Sequence, residues 1–533
     1  MSNEGLEGSA SDQLSLGEAP KFLCGVAVSV YQNSGDPNSQ WAAFEEQKAA
    51  HINLNLRVSP GELPEWDTPS ANDALIAAVT WEKLGPSKIV KNQRIGVASD
   101  FWNRYEEDIQ LAKDLNCNSF RLSIEWSRLY PRQGELNKAA VERYNAIFDT
   151  LERQGMEPNV TLHWFVHPNW FQELGGFTKE ENIDIFVEWC RTAFSLFGKR
   201  SKHWTTFNEP TVAANCGWAL GNHPPGKLLH FKEAGEVLLN LLRSHAAAYR
   251  ALKAMPGGDK IKVGICHNVW WLEPKHGGPL YMHTKAAVAF GNRMWGNEVV
   301  MTYLRTGEYR HWAPINKVTR WTDPHGKPGC DFFGLNHYAR GVIGLNLAPT
   351  NKGPKGLADM GYPVYPPSLY KAISYASTLG VPVYILENGM PCKEDDSRRS
   401  DWINGCLNEV RQAVRDGYDV RGYFYWTLID NFEWNFAFEL KFGLYEWNDD
   451  GTQRRRLRDG AKCIKGWYKR LPEEIGHELA KRKTAGDVKT DEERMRLEAL
   501  SEERYLKKDG HTQEEVEAFI AQEPEAAFPA VVD

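Results

Sequence analysis

The chain has 533 residues, room for one large domain or for two to three average ones, and its 42% apolar and 25% charged residues are the balance of a soluble globular protein with a substantial core. A formal charge of −7 argues against a nucleic-acid or anionic-membrane partner, because both favour basic faces. No apolar run approaches the ~18 residues that a membrane helix needs, and the segment Met1 to Pro20 has no Lys, no Arg and no apolar h-region, so neither an integral membrane segment nor a secretory or transit peptide is expected.

Residues 1–20, rich in Gly, Ser and Glu, read as a disordered lead-in. From 21 to 471, short β-prone runs alternate with longer helical ones, which is the pattern of βα units and a parallel sheet. Eight strands are predicted, over 21–30, 118–124, 157–163, 203–207, 262–268, 331–336, 382–387 and 421–427. Several are continuous apolar runs, such as Val381-Pro382-Val383-Tyr384-Ile385-Leu386, as strands covered on both faces require. Helical patterns such as Asp100 to Asn116 and Asn182 to Phe197 lie between them. Eight such units predict an α/β chain folded as a (β/α)8 TIM barrel with loop insertions, rather than a doubly wound sheet.

Residues 45–98 exceed a minimal βα unit and carry Pro60, Pro64, Pro69 and Pro86, which predicts a long insertion near the barrel mouth. Residues 472–533 are dominated by Glu, Lys, Arg and Ala. Thr490-Asp-Glu-Glu493 and Thr512-Gln-Glu-Glu515 both fit a capping box, so a C-terminal helical extension is predicted. Met495, Leu497 and Leu500 give the first of its helices only a thin apolar stripe, which suits a charged helical or partly disordered tail, solvated or loosely docked.

The nine cysteines form no CxxC pair and no HExxH run occurs, so no metal and no cofactor are expected. Free thiols and the absence of a leader fit a cytoplasmic protein. The 20 Trp, 20 Tyr and 23 Phe serve either a large core or stacking against the C–H faces of pyranose rings.

Two short runs at predicted strand ends carry the chemistry. Trp204-Thr-Thr-Phe-Asn208-Glu209-Pro210 closes the fourth strand, and Tyr384-Ile-Leu-Glu387-Asn388-Gly389 closes the seventh. In a (β/α)8 barrel the C-terminal strand ends converge on one mouth, so two carboxylates 178 residues apart can face each other. Opposed carboxyl groups are what glycoside cleavage requires: one, protonated, serves the leaving oxygen, and the other, ionised, attacks the anomeric carbon. Glu209 is the expected general acid/base and Glu387 the expected nucleophile, at the separation of roughly 5–5.5 Å that a retaining site has.

The chain resembles glycoside hydrolase family 1, the β-glucosidases and β-galactosidases, from about Phe22 to Leu471, roughly 85% of its length. The family's TFNEP motif stands as Thr206-Phe207-Asn208-Glu209-Pro210 and its ENG motif as Glu387-Asn388-Gly389. Its YQxEG run is similar to Tyr31-Gln32-Asn33-Ser34-Gly35, which implies that Gln32 binds sugar hydroxyls, with Ser34 in place of the Glu. FRxSIxW appears as Phe120 to Trp126, so the resemblance puts Arg121 beside the nucleophile as the charge that keeps it ionised. DFxGxNYY resembles Asp331 to Tyr338; Asn336 and Tyr338 match, Tyr338 as a donor to the nucleophile, while His337 replaces a Tyr.

At the end of the eighth strand, the run Trp426 to Trp434 matches the family's stacking Trp426 and its Glu433-Trp434 pair, in which the Glu accepts from two sugar hydroxyls at once. Relatives that cleave 6-phosphorylated sugars have smaller and basic residues there, so the resemblance implies an unphosphorylated, glucose- or galactose-like sugar. The family's TLxHWxLPxW run departs here to Thr161-Leu-His163-Trp164-Phe165-Val166-His167-Pro168. Either Trp164 or His163 takes the place of the sugar-binding His, which leaves the choice among glucose, galactose, fucose and mannose open. The implied activity is hydrolysis of a small-molecule glycoside. The same residues admit transfer of the sugar to an alcohol, sugar or glycolipid acceptor, and a barrel that binds sugar without turnover is the non-catalytic alternative. Homo-oligomerisation is left open.

Overall fold

The computed structural model describes residues 21–47, 88–276, 278–313, 318–347, 350, 355–393, 396–448, 451–481, 489–508, 510–513 and 515–516. Eight parallel strands close into a barrel: β1 (Leu23–Val28), β2 (Ser119–Ser123), β3 (Glu157–His163), β4 (His203–Asn208), β5 (Lys262–Asn268), β6 (Phe332–Asn336), β7 (Val383–Asn388) and β8 (Val420–Trp426). Each pairs with its neighbours in sequence, and β1 closes on β8 with Leu23 opposite Gly422 and Ala27 opposite Trp426. All eight stand where the apolar runs predict them, because a strand covered on both faces must be apolar at successive positions.

Period-two alternation sorts those side chains into two layers. Val26, Phe333, Ile385 and Tyr423 pack outward against the helices. Ala27, Phe332, Leu386 and Phe424 pack inside the barrel. The outer ring is α1 (Phe101–Asp114), α2 (Lys138–Arg153), α3 (Ile183–Phe197), α4 (Phe231–Ala254), α5 (Asn297–Thr306), α6 (Pro367–Ala376), α7 (Ser397–Arg415) and α8 (Cys463–Ala480), one after each strand. Asn137 caps α2 by accepting from the Ala140 amide, and amphipathic α3 buries Phe186, Trp189, Cys190 and Phe194.

Of the predicted 45–98 insertion, residues 48–87 lie outside the described residues, as does the lead-in. Its last part returns to the barrel, where Ile89 and Ile95 are buried with Trp41 and Phe44. At the other end, α8 runs through residue 472 and buries Ile475 and Leu479 in the outer core. Beyond it, α9 (Asp491–Lys508) opens at the first capping box, Thr490 Oγ1 accepting from the Glu493 amide at 3.2 Å. This helix docks through polar groups: Arg494 Nε donates to Ser374 Oγ at 3.1 Å and Ser501 Oγ to Glu409 at 2.7 Å. Met495 and Leu500, two of the three residues in its apolar stripe, are exposed. The nine cysteines are all free. Among the described residues no helix is long and apolar enough to cross a membrane.

Candidate active site

The C-terminal ends of β2, β4, β6 and β7 bring one hydrogen-bonded cluster together. Arg121, fully buried on β2, spreads its guanidinium over four neighbours: Nη1 donates to Glu387 Oε1 at 2.7 Å and to the Leu386 carbonyl at 3.1 Å, Nη2 to Asn208 Oδ1 at 2.6 Å, and Nε to Thr161 Oγ1 at 3.3 Å. Tyr338 donates its hydroxyl to the other oxygen of Glu387 at 2.5 Å. Asn336 Nδ2 donates to Glu209 Oε1 at 2.6 Å and to Asn208 Oδ1 at 3.2 Å.

Glu209 leaves β4 with φ of 48°, the left-handed region that costs a non-glycine residue about 1–2 kcal/mol. Pro210 follows as the first residue of a short helix, and a residue before proline is disfavoured in the right-handed helical region. The turn is closed by the Glu209 amide donating to the Cys266 carbonyl at 2.8 Å.

Burial, and then the charge of Glu387, push the Glu209 carboxyl well above the usual carboxylate range, against the Asn336 hydrogen bond and Arg121. Burial also raises Glu387, but there Arg121's charge and the hydrogen bonds from Tyr338, Arg121 and Asn336 pull it back. With the cation on one carboxylate and not on the other, Glu209 is the one pushed further toward its protonated form.

A cavity of about 280 Å³ opens on these groups and is lined by Glu209, Glu387, Glu433, Trp164, Trp426 and Trp434 among others. Burial, with a further contribution from the charge of Glu387, raises Glu433 to about 8, against hydrogen bonds with Trp426 and Gln32. Gln32, on the short helix after β1, donates to the Phe432 carbonyl at 3.1 Å and to Glu433 at 3.4 Å, so β1 and β8 meet at this corner. Trp434 packs 4.7 Å from Trp41, centroid to centroid.

The two candidates at the end of β3 separate. Trp164 lines the cavity, 5.6 Å from Trp426, with the Arg121 guanidinium carbon 3.9 Å from its ring centroid. His163 does not join them. Its ring packs among Phe177, Phe186 and Phe207, and Nε2 lies 3.2 Å from His167 Nδ1. Burial and the neighbouring His167 hold its pKa well below the usual histidine value, so it is a neutral core residue. The expectation that His163 binds sugar is corrected accordingly.

Cys266, which no motif singles out, donates its thiol to Asn336 Oδ1 at 2.9 Å. That bond turns the amide so that Nδ2 faces Glu209. Asn222 and His223, also unpredicted, line the cavity beside Trp434.

The model of the family described as Glycosyl hydrolase family 1 matches residues 77–476. Beta-glucosidase A of Thermotoga maritima is 31% identical over 483 residues, covering 86% of this chain and 98% of that protein. The 6-phospho-beta-glucosidase GmuD of Bacillus subtilis is 30% identical over 436 residues, 74% of this chain and 91% of that protein. The solved beta-glycosidase from Pyrococcus horikoshii superposes with a TM-score of 0.67 at 32% identity, covering 84% of this chain and 94% of that one.

Proposed function

The chain belongs to glycosyl hydrolase family 1 and is a β-glycosidase; from that premise we propose that it retains anomeric configuration and removes a terminal, unphosphorylated β-linked sugar through a covalent glycosyl-enzyme. The observation that carries this reading is the unequal treatment of two buried carboxyl groups: the Arg121 cation and Tyr338 grip Glu387, while Glu209 accepts from the neutral Asn336 amide. A retaining site needs its two carboxyl groups roughly 5–5.5 Å apart, close enough for direct attack by the nucleophile.

In this reading Glu387 attacks the anomeric carbon as Glu209 protonates the glycosidic oxygen, and the aglycone leaves as an alcohol. The new ester removes the negative charge of Glu387, so the Glu209 carboxylate becomes free to take a proton from water. That water attacks the anomeric carbon, the ester bond breaks, and Glu387 leaves as a carboxylate.

Glu433 and Gln32 supply acceptors for sugar hydroxyls, and Trp426 and Trp434 supply faces. Among the described residues no Lys or Arg lines the cavity. A cavity with the Glu433 carboxyl at its corner and no cation lining it gives a phosphate no partner, which separates this site from what the name of the Bacillus relative says of that protein. The test is turnover of nitrophenyl β-glycosides and of a 6-phosphorylated counterpart, with NMR of the first-formed product. Wild-type turnover with the β-anomer appearing first supports the reading. Equal rates in wild type, Glu387→Ala and Glu209→Ala would sink it, as would a preference for the phosphorylated sugar.

A further inference from the structure

The sugar-holding groups come from β1 and β8, whereas the opposite cavity wall comes from the segments after β5 and β6. In that wall Leu272–Pro274 pairs in parallel with Gly341–Ile343, and Leu272, Val342 and Ile343 face the cavity. A ribbon of three residues per strand is too short to hold its own position. Its anchor is electrostatic. Arg340, fully buried, forms an ion pair with Glu273 within the ribbon, Nη1 to Oε1 at 2.7 Å, and its guanidinium carbon stands 3.8 Å from the Tyr365 ring centroid.

The cluster is completed from outside the family match. That match ends at residue 476, and α9 begins at 491. Glu502 of α9 reaches in beside α6, with Oε1 2.6 Å from Lys371 Nζ and 3.9 Å from Arg340 Nη1. Tyr505, one turn further, meets Tyr365 edge to face at 5.5 Å. Glu498 on the same helix also acts on Lys371, and the Arg340, Glu273 and Glu502 side chains are at most 3% exposed. Removing one carboxylate from such a buried set disturbs its charge balance, which the remaining groups relieve by moving or by admitting water.

We propose that Glu502 is a positioning residue for the aglycone wall: the C-terminal helix, by seating Glu502 against Lys371 and Arg340, holds the Leu272–Ile343 ribbon in place. The inference rests on the glycosidase reading, because the wall opposite the sugar corner is the aglycone's side. A lost Glu502 charge therefore perturbs recognition of the leaving group and leaves the carboxylate pair untouched.

The experiment uses the full-length protein and two substrates of one sugar, a nitrophenyl β-glycoside and the glycosyl fluoride, whose leaving group is too small to touch the wall. Glu502→Gln raises KM for the nitrophenyl glycoside roughly 3–10-fold and leaves the fluoride within about twofold on both parameters, the effect of losing one buried charge partner at a distance. Glu503→Gln, at the half-buried neighbouring position whose carboxylate pairs with Lys507 instead, changes neither. Glu502→Asp keeps the charge on a shorter stem and shows the same split, reduced, should the Gln variant fail to fold. An equal rise for both substrates, or a lowered Tm with no change in either KM, would mean that α9 only stabilises the barrel, and overturns the proposal. Wild-type inactivity on both substrates would instead count against the glycosidase reading itself.

Discussion

The Arg121 guanidinium carbon stands 3.9 Å from the centroid of the Trp164 indole. The cation that holds Glu387 ionised is therefore roofed by an aromatic face on the cavity side. A desolvated cation–π contact of this kind contributes about 2 kcal/mol and excludes water from the ion pair. Trp164→Ala is expected to lower kcat/KM about 10–30-fold. It also moves the acid limb of the pH profile to higher pH, since a hydrated Arg121 depresses the Glu387 pKa less. Trp164→Phe keeps the roof and stays within about fivefold of wild type. An unshifted acid limb in Trp164→Ala would show that the contact has no bearing on Glu387.

The division of labour between Glu209 and Glu387 has a pH signature. The proposed mechanism requires Glu387 ionised and Glu209 protonated, so kcat/KM is expected to fall as pH drops through the first group's pKa and as it rises through the second's. Burial raises both, and Arg121 and Tyr338 hold Glu387 below its partner. Glu209→Gln removes the alkaline limb. It costs about 10²–10⁴-fold for a substrate with a poor leaving group and far less in the first turnover of a dinitrophenyl glycoside, which needs no acid. A burst of dinitrophenolate followed by slow steady release is the expected trace. A surviving alkaline limb in that variant would assign the acid to another group.

Much of this was legible in the sequence, for physical reasons. Parallel strands buried on both faces betray themselves as apolar runs, and the barrel's topology then fixes which ends meet, which is how Glu209 and Glu387 were paired. His163 and Trp164 show where such reading stops. They are adjacent at a strand end, and a one-residue difference exchanges core for cavity. Similarly, α9 looked weakly amphipathic because its contacts run through Arg494, Ser501 and Glu502, residues that a hydrophobic pattern counts as solvent-facing. Cys266 was invisible because its role is a hydrogen bond to a side chain 70 residues away.

Cys266 offers a clean prediction of its own. Its thiol, held protonated by burial, is the donor that fixes which way the Asn336 amide points. Cys266→Ser preserves a donor and is expected within about threefold of wild-type kcat/KM. Cys266→Val leaves Asn336 free to flip and lowers kcat/KM about tenfold. Without Nδ2 facing it, Glu209 loses a hydrogen bond that lowers its pKa, so the alkaline limb moves to higher pH as the rate falls. Equal pH profiles for the Ser and Val variants would remove Cys266 from the account.

Glu433 sets binding against stability. Burial and the charge of Glu387 raise its carboxyl to about 8, whereas in the unfolded chain it titrates near the ordinary 4.3. Between those values the folded protein retains a proton that the unfolded chain has released. Stability therefore falls as pH rises through that window, by at most about 5 kcal/mol in all, less what relaxation and water recover. Glu433→Gln abolishes the penalty, so it is expected to raise Tm by a few degrees at pH 8 and to leave it nearly unchanged at pH 4.5. In the proposed site the same variant replaces the carboxyl offered to two sugar hydroxyls, and KM is expected to rise about 10–100-fold. Thermal melts at the two pH values and a Michaelis series on one nitrophenyl glycoside check both halves. A variant that bound sugar as well as wild type while melting higher at pH 8 would show that the buried charge serves something other than the glycone.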